Sequence, residues 1–251
     1  MRGPSAAPAR SRPARCGASR YRTRTGGRAR SAAVAVGALV LAFALSACAG
    51  TVGTGDAAGA PSPKDLGSVE VREYKGEKLG SVNDFRENSI KGPQRVDRAT
   101  YRLIVDGDVA QPATYSYQDV VSKETSHTKV LTLNCVEGCS VKVLVEGVLL
   151  SDLIDRAQPR SDAVTVVFHA ADGYTTSLPL SFVRSRNILL GYRMNGLELP
   201  VERGFPFQVM AEEKWGYKWC RWVTRIELSP NADYRGYWES RGYSTSGDLD
   251  R

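Results

Sequence analysis

Histidine is nearly absent from this chain: His127 and His169 are the only two in 251 residues. Neither is paired with a carboxylate in sequence, so histidine acid–base chemistry has little to stand on, and a zinc site would be short of ligands. There is no Cys-x-x-Cys-His run and hence no haem-attachment motif. Internal repeats are lacking too. The apolar stretch from Ala32 to Ala47 is shorter than the roughly 20 residues that a membrane-spanning helix needs. No acidic residue precedes Asp56.

That last absence explains the charge. The formal net charge is +7, with 34 Lys and Arg against 27 Asp and Glu, a balance that by itself suggests a nucleic-acid or membrane-surface partner. Nine arginines, from Arg2 to Arg30, lie in the first 30 residues, which leaves 25 basic and 27 acidic residues from Cys48 onward. The basicity belongs to the leader, and no nucleic-acid partner is expected. A basic start followed by a short apolar run reads as a signal peptide over residues 1–47. Leu45-Ser46-Ala47-Cys48 reads as a lipobox, so Cys48 is expected to carry lipid and to tether the protein to the outer face of the cell membrane. Residues 48–66, rich in Gly, Ala, Ser and Pro, read as a flexible tether. The remainder, 67–251, is long enough for one domain with a sizeable core.

Within that domain the pattern is β-dominated. Strands are expected at Tyr101–Val105, Thr128–Leu133, Val141–Val145, Val164–Phe168, Ile188–Met194, Leu197–Leu199, Phe205–Met210 and Trp219–Leu228. Asn195-Gly196 marks a tight hairpin, Asp172-Gly173 a turn, and Ser151 is the expected N-cap of a short helix ending near Ala157. Such a pattern fits an α+β fold with short helices, a sandwich or a barrel. Trp215, Trp219 and Trp222 read as core.

Cysteine is scarce but well placed. With Cys16 in the leader and Cys48 in the lipobox, the domain keeps Cys135, Cys139 and Cys220. Cys135 sits in a turn between two strands. A thiol there can ligate a soft metal, act as a nucleophile if its pKa is lowered, or form a disulfide with Cys139. Cys139 has two further readings, a pair with Cys220 or a small buried hydrophobe.

The stretch Cys135-Val136-Glu137-Gly138-Cys139-Ser140, with Glu146 to Ile154 behind it, resembles the molybdopterin-binding domain of the sulfite oxidase superfamily. It is most similar to the bacterial branch that contains the periplasmic methionine sulfoxide reductase catalytic subunit. The resemblance runs from about Tyr74 to Tyr243 through Asp172-Gly173-Tyr174, Tyr192 to Gly196, Arg203 to Pro206 and Lys214 to Trp219. It implies a β-rich α+β fold and a molybdenum–molybdopterin cofactor whose metal is ligated by Cys135. It also implies that Asn83, Arg86 and Glu87 contact the cofactor, that Lys214, Lys218 and Arg221 neutralise its phosphate, and that Tyr174 polarises an oxo group. The chain departs from the branch in three places. Arg203 stands where the branch has a pterin-contacting asparagine, Gln208 where it has an arginine, and Cys139 where tryptophan is usual.

The reading that follows is an exported, lipid-anchored oxidoreductase catalysing two-electron oxygen-atom transfer on a sulfoxide-like or other small oxo substrate. Its electrons are expected from a separate partner, a membrane cytochrome or a quinone-linked protein. The alternative is a non-catalytic binding lipoprotein on the same scaffold.

Overall fold

Alternating Val141, Val143 and Val145 put three branched side chains on one face of a strand, and all three are buried there. A computed structural model describes residues 69–249; the leader, Cys48 and the tether lie outside the described residues. Among the described residues the order is β1 (Glu73–Tyr74), β2 (Glu77–Lys78), β3 (Leu103–Gly107), β4 (Ala113–Tyr115), α1 (Tyr117–Lys123), β5 (Ser126–Asn134), β6 (Ser140–Leu149), α2 (Leu150–Arg156), β7 (Thr165–Ala170), β8 (Thr175–Pro179), α3 (Leu180–Ser185), β9 (Leu189–Met194), β10 (Leu197–Glu198), β11 (Gln208–Met210) and β12 (Val223–Ser229).

Two five-stranded sheets carry the domain. One runs β10-β9-β6-β5 with β11 also on β9, and the other runs β4-β3-β12-β7-β8. All pairings are antiparallel except β3 with β12. Both sheets feed one hydrophobic cluster, which includes Val143, Leu190, Phe168 and Ile226. Each fully buried side chain of this size stabilises by about 1.5–3 kcal/mol relative to exposure.

The departures from expectation have local causes. Helix α2 starts at Leu150 with Leu149 as its cap, not Ser151, because the amide N–H of Leu150 donates to the Ile188 carbonyl at 3.0 Å and needs no side-chain cap. Strand β11 is shorter than Phe205–Met210 because Pro206 brings no N–H to a ladder. Strand β12 begins at Val223 rather than Trp219. A 3-10 turn over Gly216–Lys218 and a left-handed Trp222 (φ 60°) break the extended run. Trp219 and Trp222 are buried as expected, and Trp215 is half-buried.

Two devices hold the site's surroundings. Gly147 on β6 faces the backbone of β9, where a Cβ would come within 2.5 Å of the Leu190 carbonyl oxygen. At the β9–β10 hairpin, Asn195 and Gly196 both take positive φ, 51° and 79°, as a tight primed turn requires. The Asn195 side chain accepts from the Leu144 N–H at 2.9 Å and donates to Glu70 Oε1 and the Gly80 carbonyl at 2.8 Å each. It ties the segment leading to residues 83–90 onto the sheet.

Candidate functional site

Strands β5 and β6 pair from Ser126↔Val148 to Asn134↔Ser140, so the residues between them form a tight connection at a fixed place. Inside it the Cys135 N–H donates to the Cys139 carbonyl at 2.8 Å and the Gly138 N–H to the Cys135 carbonyl at 3.0 Å. Gly138 supplies a φ of 85°, a conformation that suits glycine. Gly216 packs against the backbone of this turn; a Cβ there would lie 3.3 Å from the Asn134 carbonyl oxygen.

These elements enclose a cavity of about 210 Å³, with Cys135 on one wall and Arg203, Gln208 and Arg221 among its other lining residues. Cys135 is 8% exposed and is a free thiol, as is Cys220. Neither is therefore joined to Cys139. The Cys135 Sγ lies 3.9 Å from Glu137 Oε2. Cys220 does not line the cavity, and burial, with Asp172 nearby, pushes its thiol pKa up and keeps it inert.

Residues 85–90 pass over the cavity. Arg86 pairs with Glu137 at 2.8 Å, both half-exposed, and so links this segment to the thiol turn at the cavity's edge. Glu87 accepts from Arg221 at 2.8 Å, with Asn88 Oδ1 at 3.1 Å on the same nitrogen. Asn83 sits earlier, in a short 3-10 turn capped by Ser81, and does not line the cavity.

The two lysines are elsewhere. Lys218 is fully buried and donates to Glu239 Oε1 at 2.6 Å and the Ser177 carbonyl at 3.0 Å. Lys214 pairs with Asp248 at 2.5 Å and lies over the Phe182 ring. Neither lines the cavity. The sequence between Lys214 and Arg221 gives no sign of this, because the two acids arrive from the chain's C-terminal end.

Tyr174 lines the cavity, but its hydroxyl donates to the Tyr217 carbonyl. Burial above all, then the nearby Glu239, holds its pKa well above the usual phenol value. Its only proton is thus engaged by a backbone carbonyl of another residue that lines the cavity. Burial, and secondarily Arg221, lowers the Arg203 pKa to about 9.

The histidines stay outside. His169 Nε2 lies 2.7 Å from Glu227 on the neighbouring strand, a carboxylate partner that linear sequence does not reveal, and neither histidine lines the cavity. Asp172, Trp238 and Tyr243 do line it and went unremarked as site residues. In sequence Asp172 alone is marked, by the turn at Asp172-Gly173 and by its place in the motif Asp172-Gly173-Tyr174.

Comparison with known proteins is consistent with this geometry. The family described as Oxidoreductase molybdopterin binding domain matches residues 90–238. The chain is 31% identical over 157 residues to Uncharacterized oxidoreductase YuiH of Bacillus subtilis, covering 62% of this chain and 78% of that protein. It is 24% identical over 145 residues to the protein-methionine-sulfoxide reductase catalytic subunit MsrP of Pseudomonas syringae pv. tomato, covering 51% of this chain. It spans 43% of that relative, less than half its length. Among solved structures, the sulfane dehydrogenase SoxCD of Paracoccus pantotrophus superposes with a TM-score of 0.58 at 18% identity, covering 76% of this chain and 57% of that one. This likeness shows the sulfite-oxidase-type fold.

Proposed function

Because this chain belongs to the Oxidoreductase molybdopterin binding domain family, and is thus an oxidoreductase with a molybdenum–molybdopterin cofactor, we propose that it transfers oxygen atoms to or from a small oxo substrate with Cys135 holding the metal. The residues present fit such a group. A free thiol on a cavity wall supplies the soft donor that the metal takes. Arg203 Nε, buried and without a hydrogen-bond partner, marks a place for an anion. When bound, the cofactor supplies two-electron redox chemistry.

We read the substrate as a sulfoxide-like compound, in keeping with the activity for which the methionine sulfoxide reductase relatives are named. Such a reduction takes up two electrons and two protons and releases a thioether and water. Those relatives are named as catalytic subunits, which supports a separate electron-transfer partner, a membrane cytochrome or a quinone-linked protein, for this chain as well. Around the reaction, Cys135 would hold the metal, the Arg86–Glu137 pair links residues 85–90 to the thiol turn, and the Tyr174 hydroxyl donates its proton to the Tyr217 carbonyl. Export and a lipid on Cys48 complete the reading, and mass spectrometry of the membrane fraction checks them; an unmodified Cys48 within an intact leader removes the anchor.

The free Cys135 thiol in the cavity carries this proposal, and a pair of variants tests it. Cys135→Ser replaces a soft thiolate with a hard hydroxyl and is expected to lose molybdenum and dye-linked reduction of methionine sulfoxide. Cys220→Ala, outside the cavity, is expected to keep both. Retention of metal and turnover by Cys135→Ser refutes the assignment.

A further inference from the structure

A second cavity, of about 680 Å³, opens beside the one that holds Cys135 and shares Val136, Tyr217 and Tyr243 with it, so the two meet at those three side chains. The rest of its wall is Trp215 and residues from the run 244–249. Five large apolar side chains stand exposed among the described residues, and two of them, Val136 at 45% and Tyr243 at 38%, flank this junction. Apolar surface gathered at one place, rather than scattered singly, marks a binding site. The wall is fixed before anything binds. The Trp215 N–H donates to the Gly247 carbonyl at 2.8 Å, the Leu249 N–H donates to the Glu213 carbonyl at 3.2 Å, and Tyr217 meets Tyr243 edge-on with ring centroids 5.2 Å apart. Trp215 also bridges to Asn134, the residue before Cys135. The polar groups of the wall are engaged with one another or with neighbours. The Tyr217 hydroxyl donates to the Ser244 carbonyl at 2.8 Å, the Ser244 and Ser246 hydroxyls lie 3.0 Å apart, and Asp248 is paired with Lys214. Such a wall offers a charged group no counter-charge in exchange for its lost hydration, and suits a neutral apolar one.

We propose that this second cavity is a specificity subsite that takes a neutral aromatic substituent of the substrate, while the sulfoxide group itself lies at the Cys135 end. Trp215, Tyr217 and Tyr243 supply the rings, and aromatic pairs gain from offset or edge-on contact beyond their buried area. Continuity of the two cavities is what ties the occupant to the substrate: one molecule with a small polar head and an aryl tail spans both. The substrate class is thus an aryl sulfoxide, reduced to the aryl thioether and water with two electrons from the partner and two protons. Dimethyl sulfoxide has no group that reaches the second cavity, and the charged ends of free methionine sulfoxide meet no counter-charge in it. The inference rests on the proposed sulfoxide reduction in the first cavity, and its test separates the two.

Binding is read first, by calorimetric titration of methyl phenyl sulfoxide into the full-length holoprotein, oxidised and without an electron donor so that nothing turns over. Trp215 and Leu249 line the second cavity only. Saturable binding is expected in the wild type, weakened about tenfold in Trp215→Ala and in Leu249→Asp, the order that a lost apolar contact in a pocket gives. Trp215→Phe keeps a ring and is expected to keep most of the affinity; unfolding midpoints show that each variant is folded. Reduction with a dye donor then gives kcat/KM for methyl phenyl sulfoxide relative to dimethyl sulfoxide, and this ratio is expected to fall by the same factor in the two disruptive variants, through KM. No saturable binding to the wild type, unchanged affinity in either disruptive variant, or an equal loss of kcat/KM for both sulfoxides overturns the proposal. If neither sulfoxide is reduced, the proposed reaction fails, while binding that depends on Trp215 and Leu249 still upholds the subsite.

Discussion

Lys218 and Glu239 meet at 2.6 Å with both side chains fully buried, and Thr176 Oγ1 donates to the same carboxylate oxygen at 2.6 Å. Burial lowers the Lys218 pKa, while Glu239 opposes that shift. Removing one partner of such a pair strands a charge, so Glu239→Gln is expected to destabilise by about 3–5 kcal/mol in chemical denaturation. Joint replacement, Lys218→Met with Glu239→Leu, is expected to recover much of that, less the hydrogen bond lost by Thr176. A loss under about 1 kcal/mol in the single variant contradicts a dry pair. Cys135 was legible at this scale because a thiol between two apolar runs is unusual in itself. The partners of Lys214 and Lys218 were not: Asp248 and Glu239 lie 34 and 21 residues away in sequence, and only the folded chain brings them together.

At the scale of the element, the β5–β6 hairpin and its neighbour β9 set where the thiol stands. Two glycines there act by different physics. A Cβ on Gly138 meets nothing within 4 Å, so Gly138→Ala carries only the cost of a left-handed backbone, about 1–2 kcal/mol. A Cβ on Gly147 meets backbone at 2.5 Å and must push β9 away. Gly147→Ala is therefore expected to cost more than Gly138→Ala and to broaden the thermal transition, whereas equal losses would remove the close-approach argument. The hairpin itself was readable from the alternation in Val141 to Val145, and the β9–β10 turn from Asn195-Gly196. Unreadable were the start of α2, set by the distant Ile188 carbonyl, and the late start of β12, set by the left-handed Trp222. Helix α1, missed outright, carries a capping box between Ser116 and Asp119 that the sequence spells plainly.

Across the molecule, the cavity is assembled from both ends of the described chain, residues 85–90 and Trp238 to Tyr243, placed against the two sheets' turns. A buried phenol, Tyr117, and a partly buried one, Tyr217, contribute to the alkaline limit of this assembly. Burial first, with Glu198 for Tyr117 and Glu239 for Tyr217, raises both pKa values to about 12. A folded-state pKa above the unfolded value near 10 means that the contribution is complete below pH 10 and is lost as pH climbs towards 12. Circular dichroism with tyrosinate absorbance is expected to show unfolding and phenol ionisation together in that window; ionisation of all tyrosines at pH 10 without unfolding contradicts it. Asn195 has a consequence of another kind, in chemical ageing. Asn-Gly is the dipeptide most prone to deamidation, because the glycine amide nitrogen can reach the side-chain carbonyl carbon when the backbone is free to turn. Here the side chain is pinned by Leu144, Gly80 and Glu70, and the hairpin holds both residues in one conformation. The native state is thereby shielded, and the lesion is confined to molecules that have opened. Once formed, the new carboxylate would face the Glu70 carboxylate where an amide donor used to be, so an aged chain loses its way back to the fold.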